Sequence, residues 1–281
     1  MTIDFHTHVF PPEFSGRRAE YAAADATFAD LFADPMAKMA TADDLVESMD
    51  RDGIDVSVVM GIGWNDVGVA RASNDYILES VARFPGRLQG FAGVNPAWGG
   101  PAVEEAERCA DAGLVGVGEL HPDTQGFDLG DTEVTAPLME VVQRRRLLVT
   151  THSSEPVGHI YPGKGTVRPE ALWRFVHAYP EASVVCAHWG GGLPFYALMP
   201  EVRDGLKNVY FDTAASPFLY TPEVFETVAG LVGAERILLG SDYPLMRLTR
   251  LKTQLGGTSL SESQRKEISG GNAARLLGIG E

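Results

Sequence analysis

Short apolar runs alternate along the chain with longer segments in which apolar residues recur every three or four positions. The runs are rich in β-branched residues and apolar on both faces, which is typical of buried strands in a parallel sheet. Glycines such as Gly53, Gly86 and Gly113 follow the longer segments as helix stop signals. The pattern predicts eight strands, at residues 3–6, 56–61, 88–94, 114–120, 147–152, 183–188, 209–213 and 237–241.

Amphipathic helices are predicted between these strands, at residues 42–52, 74–84, 103–112, 135–145, 169–179 and 222–232. Eight strand–helix units in a chain of 281 residues favour a single (β/α)8 TIM barrel of the α/β class over a smaller doubly wound sheet. We therefore expect residues 1–281 to form one barrel domain. The stretch at 10–41 is too long for an ordinary connection after strand 1, so we predict an insertion there that covers the barrel mouth.

Composition and charge narrow the classes of partner. The chain has 23 Lys and Arg against 38 Asp and Glu, a net charge of −15. An excess of acidic residues disfavours binding to nucleic acid or to an anionic membrane surface. No run approaches the roughly 20 apolar residues of a membrane span. The start MTIDFHTHVF lacks a signal-peptide pattern. Two cysteines are too few for a disulfide framework. We expect a cytoplasmic protein whose partner is a small molecule.

Histidines and carboxylates follow the predicted strands at their carboxyl ends, where the active site of such a barrel lies. His6 and His8 are two positions apart, so their side chains share one face of strand 1. Imidazole and carboxylate are ligands that divalent zinc, manganese, iron or cobalt accepts. A single one of these histidines is ordinarily a hydrogen-bonded core residue, but their convergence predicts a metal centre. Its members are His6, His8, Glu119, His152, His188 and Asp242.

Four segments carry a family resemblance. They are IDFHTH at 3–8, VCAHWG at 185–190, LLGSDYP at 238–244 and GNAARLL at 271–277. Together they resemble the amidohydrolase superfamily, in particular the branch of aminocarboxymuconate semialdehyde decarboxylase and related metal-dependent hydrolases. The resemblance implies that His6, His8, His152 and Asp242 are metal ligands and that Asp242 also accepts a proton from the attacking water. It gives His188 two alternative roles: polarising substrate and water, or ligating a second metal.

The number of ions depends on Glu119. Binuclear members of the superfamily bridge their ions with a residue at the end of strand 4, where Glu119 stands; the alternative is a carboxylate that orients a histidine or binds substrate. We expect one or two divalent ions per chain, with zinc first and manganese, iron or cobalt as alternatives. For the assembly, the branch suggests a homodimer, although the sequence leaves the oligomeric state open.

Two enzyme functions share this site. Decarboxylases of the branch commonly carry an arginine before strand 2, and none of Arg17, Arg18, Lys38 and Arg51 has a matching context. We therefore expect a metal-dependent hydrolase that uses activated water on a small organic acid, lactone, ester or amide. The alternative is a non-oxidative decarboxylase, a carboxy-lyase, of an unsaturated or aromatic carboxylate. A second alternative is a non-catalytic barrel, which the intact set of ligand positions disfavours.

Substrate contacts are predicted on the loops. Lys164 and His159 lie on a turn-rich loop after strand 5 and are candidate substrate contacts. Lys164 would bind a substrate carboxylate or phosphate, with a solvated surface lysine as the alternative. Three aromatic residues that follow strand ends are predicted to wall the substrate pocket, with ordinary packing as the alternative: Trp64, Trp189 and Tyr243. Asp212, on strand 7, is given a structural hydrogen-bonding role.

Overall fold

The computed structural model of the protein describes residues 1–280. Each strand pairs in parallel with the next one along the chain, so that the spatial order follows the sequence from first to last. The eight strands are β1 (Ile3–Thr7), β2 (Val56–Met60), β3 (Leu88–Ala92), β4 (Gly116–Leu120), β5 (Leu148–Thr151), β6 (Val184–Cys186), β7 (Val209–Asp212) and β8 (Ile237–Leu238).

The sheet closes where the last strand meets the first. The amide of Phe5 donates to the carbonyl of Leu239, and the amide of Asp242 donates to that of His6. A parallel bridge between Thr7 and Tyr243 extends this contact. All eight predicted strands are present, and the prediction of a (β/α)8 barrel is confirmed.

The helices surround the barrel. They are α1 (Pro12–Gly16), α2 (Arg18–Ala24), α3 (Ala26–Phe32), α4 (Ala42–Asp52), α5 (Val67–Arg83), α6 (Gly100–Asp111), α7 (Pro122–Gln125), α8 (Thr132–Arg145), α9 (Pro169–Ala178), α10 (Ala187–Gly190), α11 (Pro200–Gly205), α12 (Ser216–Leu219), α13 (Val224–Val232), α14 (Leu248–Gly256), α15 (Glu262–Lys266) and α16 (Asn272–Leu277). Three short 3-10 helices at Pro96–Trp98, Leu193–Leu198 and Ala234–Arg236 and a π-helical turn at Glu267–Gly271 complete the set. In the described part of the chain, none of these helices combines the length and the apolar character that a membrane crossing needs.

Local signals explain the helix boundaries. The predicted helix at 42–52 coincides with α4, whose first turn is held by a reciprocal capping box between Thr41 and Asp44. The helix predicted at 74–84 begins seven residues earlier, because the side chain of Asp66 accepts a hydrogen bond from the Val69 amide and caps α5 there. The apolar periodicity around Gly68 is too weak to reveal that first part.

The core has two main parts. Strand side chains from around the barrel, among them Phe5, Val58 and Phe91, form one cluster that packs against α16. A larger cluster lies between the strands and the surrounding helices, where Val59 packs with residues of α4 and α5. Full burial of one such side chain contributes about 1.5–3 kcal/mol. The strand ends that carry the candidate site therefore rest on a tightly packed scaffold.

The insertion after β1 contains α1, α2 and α3. The carboxylate of Asp25 accepts hydrogen bonds from the amides of Phe28, Asn65 and Asp66, and so ties the insertion to the loop after β2. Aromatic side chains of the insertion then pack around the buried ring of Trp64; they are Phe10, Phe14, Phe28 and Phe32. Phe10 and Phe32 also line the cavity at the barrel mouth, as the predicted cover requires.

Candidate metal centre

Six side chains from five strand ends gather at the carboxyl end of the barrel. The Nε2 atoms of His6 and His8 lie 3.0 Å apart, and Oε2 of Glu119 lies 3.6 and 3.7 Å from them. Oδ1 of Asp242 is 3.9 Å from the His6 nitrogen and 3.5 Å from the His8 nitrogen. Two groups of three donors are close enough to share an ion: His6, His8 and Glu119, and Glu119, His152 and His188.

The outer nitrogens of the first histidine pair are fixed by protein acceptors. Nδ1 of His6 donates to Oδ2 of Asp212 over 2.7 Å. Nδ1 of His8 donates to the carbonyl of Met60 over 3.2 Å. Because a neutral imidazole carries one N–H, the Nε2 atom of each ring presents a lone pair toward the centre.

The second pair is held in the same way. Nε2 of His152 donates to the carbonyl of Lys164 over 3.1 Å, and Nδ1 of His188 donates to that of Ala214 over 3.0 Å. Their remaining nitrogens face Oε1 of Glu119, at 3.2 Å from His152 and 3.5 Å from His188. Each oxygen of the Glu119 carboxylate therefore faces a different pair of histidines.

This donor arrangement fits a divalent metal. With neutral imidazoles, the inward nitrogens and the oxygens of Glu119 are all acceptors at distances where acceptors repel one another. A cation among them removes that repulsion, and the outer hydrogen bonds are those that orient metal-bound histidines in proteins. Imidazole and carboxylate donors suit zinc, manganese, iron and cobalt ions.

Without a metal, protonated histidines balance the negative charge of the carboxylates in the site. Burial lowers the pKa of His6, but the charges of Asp212 and Glu119 outweigh burial and raise it well above its usual value. Burial likewise lowers the pKa of His188, whereas its hydrogen bond to Glu119 and the charge of that carboxylate raise it to about 9. Burial raises the pKa of Glu119, yet the surrounding imidazoles bring it well below the normal range. The site is thus electrostatically prepared to hold positive charge around this carboxylate.

Asp212 links the two halves of the centre. One carboxylate oxygen accepts from His6, and the other accepts from the amides of His188 and Ala214, at 2.9 and 3.0 Å. His188 and Trp189 have φ values of 55° and 59°, in the left-handed region that such residues rarely adopt. The Asp212 contact to the His188 amide therefore helps to hold an unusual backbone turn. The structural hydrogen-bonding role predicted for Asp212 agrees with these contacts.

A cavity of about 470 Å³ opens above the centre. Its inner end is polar and contains His8, Glu119, His121, His152, His188 and Asp242. Its walls are largely apolar and include Phe10, Phe32, Ile62, Phe218, Leu219 and Leu245. A cavity of this volume, with a polar inner end and apolar walls, is typical of sites for small organic molecules.

The imidazole of His121 belongs to this inner end. Its ring stacks on that of His152 with centroids 4.2 Å apart. Burial and the charge of His152 lower the pKa of His121 to about 3, so this ring is neutral near pH 7. It adds a neutral hydrogen-bonding group beside the charged centre.

The three aromatic residues expected to wall the pocket lie elsewhere within the described residues. Trp64 is enclosed by the insertion. Trp189 donates from Nε1 to the Ser216 hydroxyl and packs edge-on against Phe225, because the left-handed turn directs its ring into the core. Tyr243 is half-buried against the larger core cluster. That prediction is corrected: the apolar walls come from the insertion and from the loops after β2, β7 and β8.

Lys164 also differs from its prediction. Its Nζ donates to the carbonyls of Val157 and His159 at 2.9 Å, so the ammonium group braces its own loop from within and does not reach into the cavity. His159 lies on that loop and lines the cavity, as expected.

Lys38 is the cation that sequence reasoning did not assign. It lies in the insertion and is the only Lys or Arg side chain among the described residues that line the cavity. Its Nζ donates to the carbonyl of Leu245 over 3.0 Å. No sequence pattern marks it, because its position depends on how the insertion folds over the mouth.

Comparisons with known proteins agree with the fold. A family model described as amidohydrolase matches residues 3–279. Gamma-resorcylate decarboxylase from Polaromonas sp. is 27% identical, and the match covers 74% of this chain and 76% of that protein. The 2-amino-3-carboxymuconate-6-semialdehyde decarboxylase of Dictyostelium discoideum is 22% identical, and the match covers 99% of this chain and 92% of that protein. The fold also resembles that of a dihydroxybenzoic acid decarboxylase from Polaromonas sp., whose crystal structure contains manganese and the inhibitor 2-nitroresorcinol. The two structures align with a TM-score of 0.74 at 21% sequence identity, and the alignment covers 99% of this chain and 96% of that one.

Proposed function

Because the chain belongs to the amidohydrolase family, we propose that it is a metal-dependent, non-oxidative decarboxylase of an aromatic or unsaturated carboxylate. The observation that carries this choice is that the similar curated proteins, over about three quarters of the chain or more, are decarboxylases. The hydrolase expected from the sequence has no such support among them. The absence of a matching arginine before β2, on which the expected hydrolase rested, is therefore a weaker argument than the similarity to these decarboxylases.

The proposed metal ligands are His6, His8, Glu119 and Asp242. His152 and His188 face the other oxygen of Glu119 and would hold a second ion only in the two-ion arrangement of the second candidate function. Manganese in the structural neighbour supports a divalent ion and makes manganese a candidate beside zinc. When bound, such an ion supplies a Lewis acid that draws electron density from the bound end of the substrate.

The chain itself orients the substrate and excludes water. The apolar walls of the cavity pack against the flat body of the substrate, so the carboxylate enters the polar inner end. Loss of carbon dioxide leaves an electron pair on carbon, which must take up a proton. Asp242 and His188 both line the cavity, and the charge of Asp242 contributes to the raised pKa of His188. We assign the holding and delivery of that proton to this pair.

A second candidate function is hydrolysis, and one observation favours it. The two oxygens of Glu119 face separate histidine pairs, as a carboxylate between two ions would. Two-ion sites are common in hydrolytic enzymes. In this case Asp242 would accept a proton from the attacking water.

One experiment separates the two candidates. Protein loaded with manganese or zinc is incubated with a panel of hydroxylated benzoates and with lactones, esters and amides of similar size. Release of carbon dioxide, lost in Asp242→Asn, is the expected result. Hydrolysis products without carbon dioxide would replace the proposal with the second candidate, and no turnover of either kind by metal-loaded protein would contradict both.

A further inference from the structure

His121 is the histidine at the inner end of the cavity that the proposed reaction does not use. Its side chain is buried, with the residue 3% exposed, and its ring stacks on that of His152 with centroids 4.2 Å apart. It belongs to neither group of three donors that could share an ion. A buried polar side chain ordinarily has a hydrogen-bond partner for each of its polar atoms, so the partners of its two ring nitrogens indicate what the residue does.

The proton of this ring is placed by Thr124. The Thr124 hydroxyl donates to the carbonyl of His121 over 3.2 Å, so its single proton is engaged and its oxygen is left to accept. That oxygen lies 3.4 Å from Nδ1 of His121. Nδ1 is therefore the nitrogen that carries the proton and donates it to Thr124. Because a neutral imidazole has one N–H, Nε2 bears a lone pair and is a hydrogen-bond acceptor.

The Nε2 atom borders the cavity above the metal centre. Among residues 1–280 it has no hydrogen-bond partner, and it is not one of the polar atoms that the protein encloses. His121 lies between this cavity and a second one of about 380 Å³ beside the exposed Asp123. Thr124 lines only the second cavity. Since the two nitrogens of an imidazole point in diverging directions, a ring whose Nδ1 faces Thr124 turns Nε2 toward the metal centre's cavity.

An unpartnered acceptor at this position requires a donor on the ligand. An ionised carboxylate has no proton to donate, whereas a hydroxyl group has one. A ring hydroxyl next to a carboxylate donates to that carboxylate within the same molecule. A hydroxyl one ring position further away cannot close this internal contact, so its proton stays free for an acceptor on the protein.

We propose that Nε2 of His121 accepts a hydrogen bond from a substrate hydroxyl group meta to the carboxylate that reacts. The preferred substrates are then aromatic acids that carry a meta hydroxyl in addition to any group that activates the ring. His121 is a specificity-determining residue in this assignment and takes no part in bond breaking. The assignment rests on the proposed function, because it needs a carboxylate at the inner end of the cavity.

Binding of two unreactive probes tests the assignment. The probes are 3,5-dihydroxybenzoate and 3,5-difluorobenzoate, which have similar shapes, although only the first can donate hydrogen bonds from its ring substituents. Their symmetry presents a meta substituent to His121 in either orientation of the ring. Meta hydroxyls do not supply electrons to the carbon that would be protonated, so calorimetry on manganese-loaded protein near pH 7 measures affinity without turnover. We expect the dihydroxy acid to bind about three- to tenfold more tightly.

Two substitutions of His121 separate its two nitrogens. The amide of His121→Asn lies where Nδ1 was and leaves nothing at the position of Nε2, so the two affinities should come within about twofold of each other. The longer side chain of His121→Gln can place its carbonyl oxygen at the position of Nε2 and should retain the preference. His177→Asn is the matched control, because His177 is exposed on α9. A chelator competition gives the manganese affinity of each variant, since His121 stacks on a candidate ligand.

The outcomes distinguish the two proposals. Equal binding of both probes to the wild type, or a preference that persists in His121→Asn, overturns the role of His121 alone. Loss of the preference in His121→Gln as well, with manganese affinity kept, would assign the effect to the shape of the ring and overturn the hydrogen bond. Failure of both probes to bind the wild type contradicts the proposed carboxylate site and the role of His121 together. The wild-type comparison needs no variant, so the assignment can fail even if a variant does not fold.

Discussion

Nδ1 of His6 and Oδ2 of Asp212 lie 2.7 Å apart, and both side chains are fully buried. This contact fixes the tautomer of His6 and directs its other nitrogen toward the metal position. Hydrogen-bond partners of this kind typically contribute 10–100-fold to metal affinity.

We predict that Asp212→Asn lowers metal affinity by about 10–100-fold, because the amide lacks the charge that supports the His6 N–H. Competition with a chromophoric chelator measures the change. Asp204→Asn, which alters an exposed carboxylate on α11, should have no effect. Wild-type affinity in Asp212→Asn would show that the contact does not support metal binding.

Metal binding should release protons. In the metal-free protein the pKa of His188 is raised to about 9, so this ring is protonated at pH 7, and ligation needs it neutral. Metal affinity should therefore rise with pH up to about 9. Calorimetric titrations at pH 7 in two buffers with different heats of ionisation count the protons, and zero release would contradict the protonated state.

The free energy of unfolding of the metal-free protein should change with pH in the opposite direction and decrease as the pH rises. A folded-state pKa above the ordinary value of 6.5 means that His188 contributes stability below about pH 6.5, which is lost as the pH rises through about 9. Denaturant unfolding of chelator-treated protein across this range measures the loss.

The number of bound ions should depend on Glu119. If Glu119 bridges two ions, as the second candidate function requires, the wild type binds two ions per chain and Glu119→Gln binds one, because an amide has only one oxygen to offer to the two histidine pairs. Elemental analysis of dialysed protein gives the ratio, with Glu133→Gln on the surface of α8 as the control. A wild type with one ion, or a variant that keeps two, would rule out the bridge.

Asp242→Asn should remove activity while the barrel stays folded. The amide has nearly the same shape but cannot hold the proton, and loss of a general acid–base group lowers turnover by about 10²–10⁴-fold. Circular dichroism and thermal unfolding check the fold, and Asp111→Asn on α6 serves as the surface control. Turnover near that of the wild type would assign the proton to another residue.

Lys164→Met should loosen a loop and leave ligand contacts in place. The variant loses two hydrogen bonds to the carbonyls of Val157 and His159, so we expect faster cleavage within residues 155–163 by a non-specific protease. Lys207→Met should be cleaved like the wild type. If carboxylate affinity fell while cleavage was unchanged, Lys164 would be the substrate-gripping residue that its sequence position suggested.

The barrel and the convergence of the candidate ligands were predictable because each depends on local order along the chain. His6 and His8 follow directly from the alternation of a strand, and Asp242 follows the last apolar run. Parallel strands in sequential order bring such ends together without further information.

The residues around the site could not be predicted from the sequence, and the reason is physical. Trp189 follows a strand, yet two successive left-handed residues break the alternation and turn its ring into the core. The contacts of Lys164 and Lys38 depend on the paths of long loops, which are set by tertiary packing and carry no periodic signal. Position in the sequence therefore predicted which candidate ligands come together better than it predicted which residues line the cavity.

Closure of the sheet between β8 and β1 has a consequence for synthesis. Asp242 is made more than two hundred residues after His6, yet the amide of Asp242 bonds to the carbonyl of His6. A nascent chain therefore cannot present the complete set of candidate donors until Asp242 has been translated.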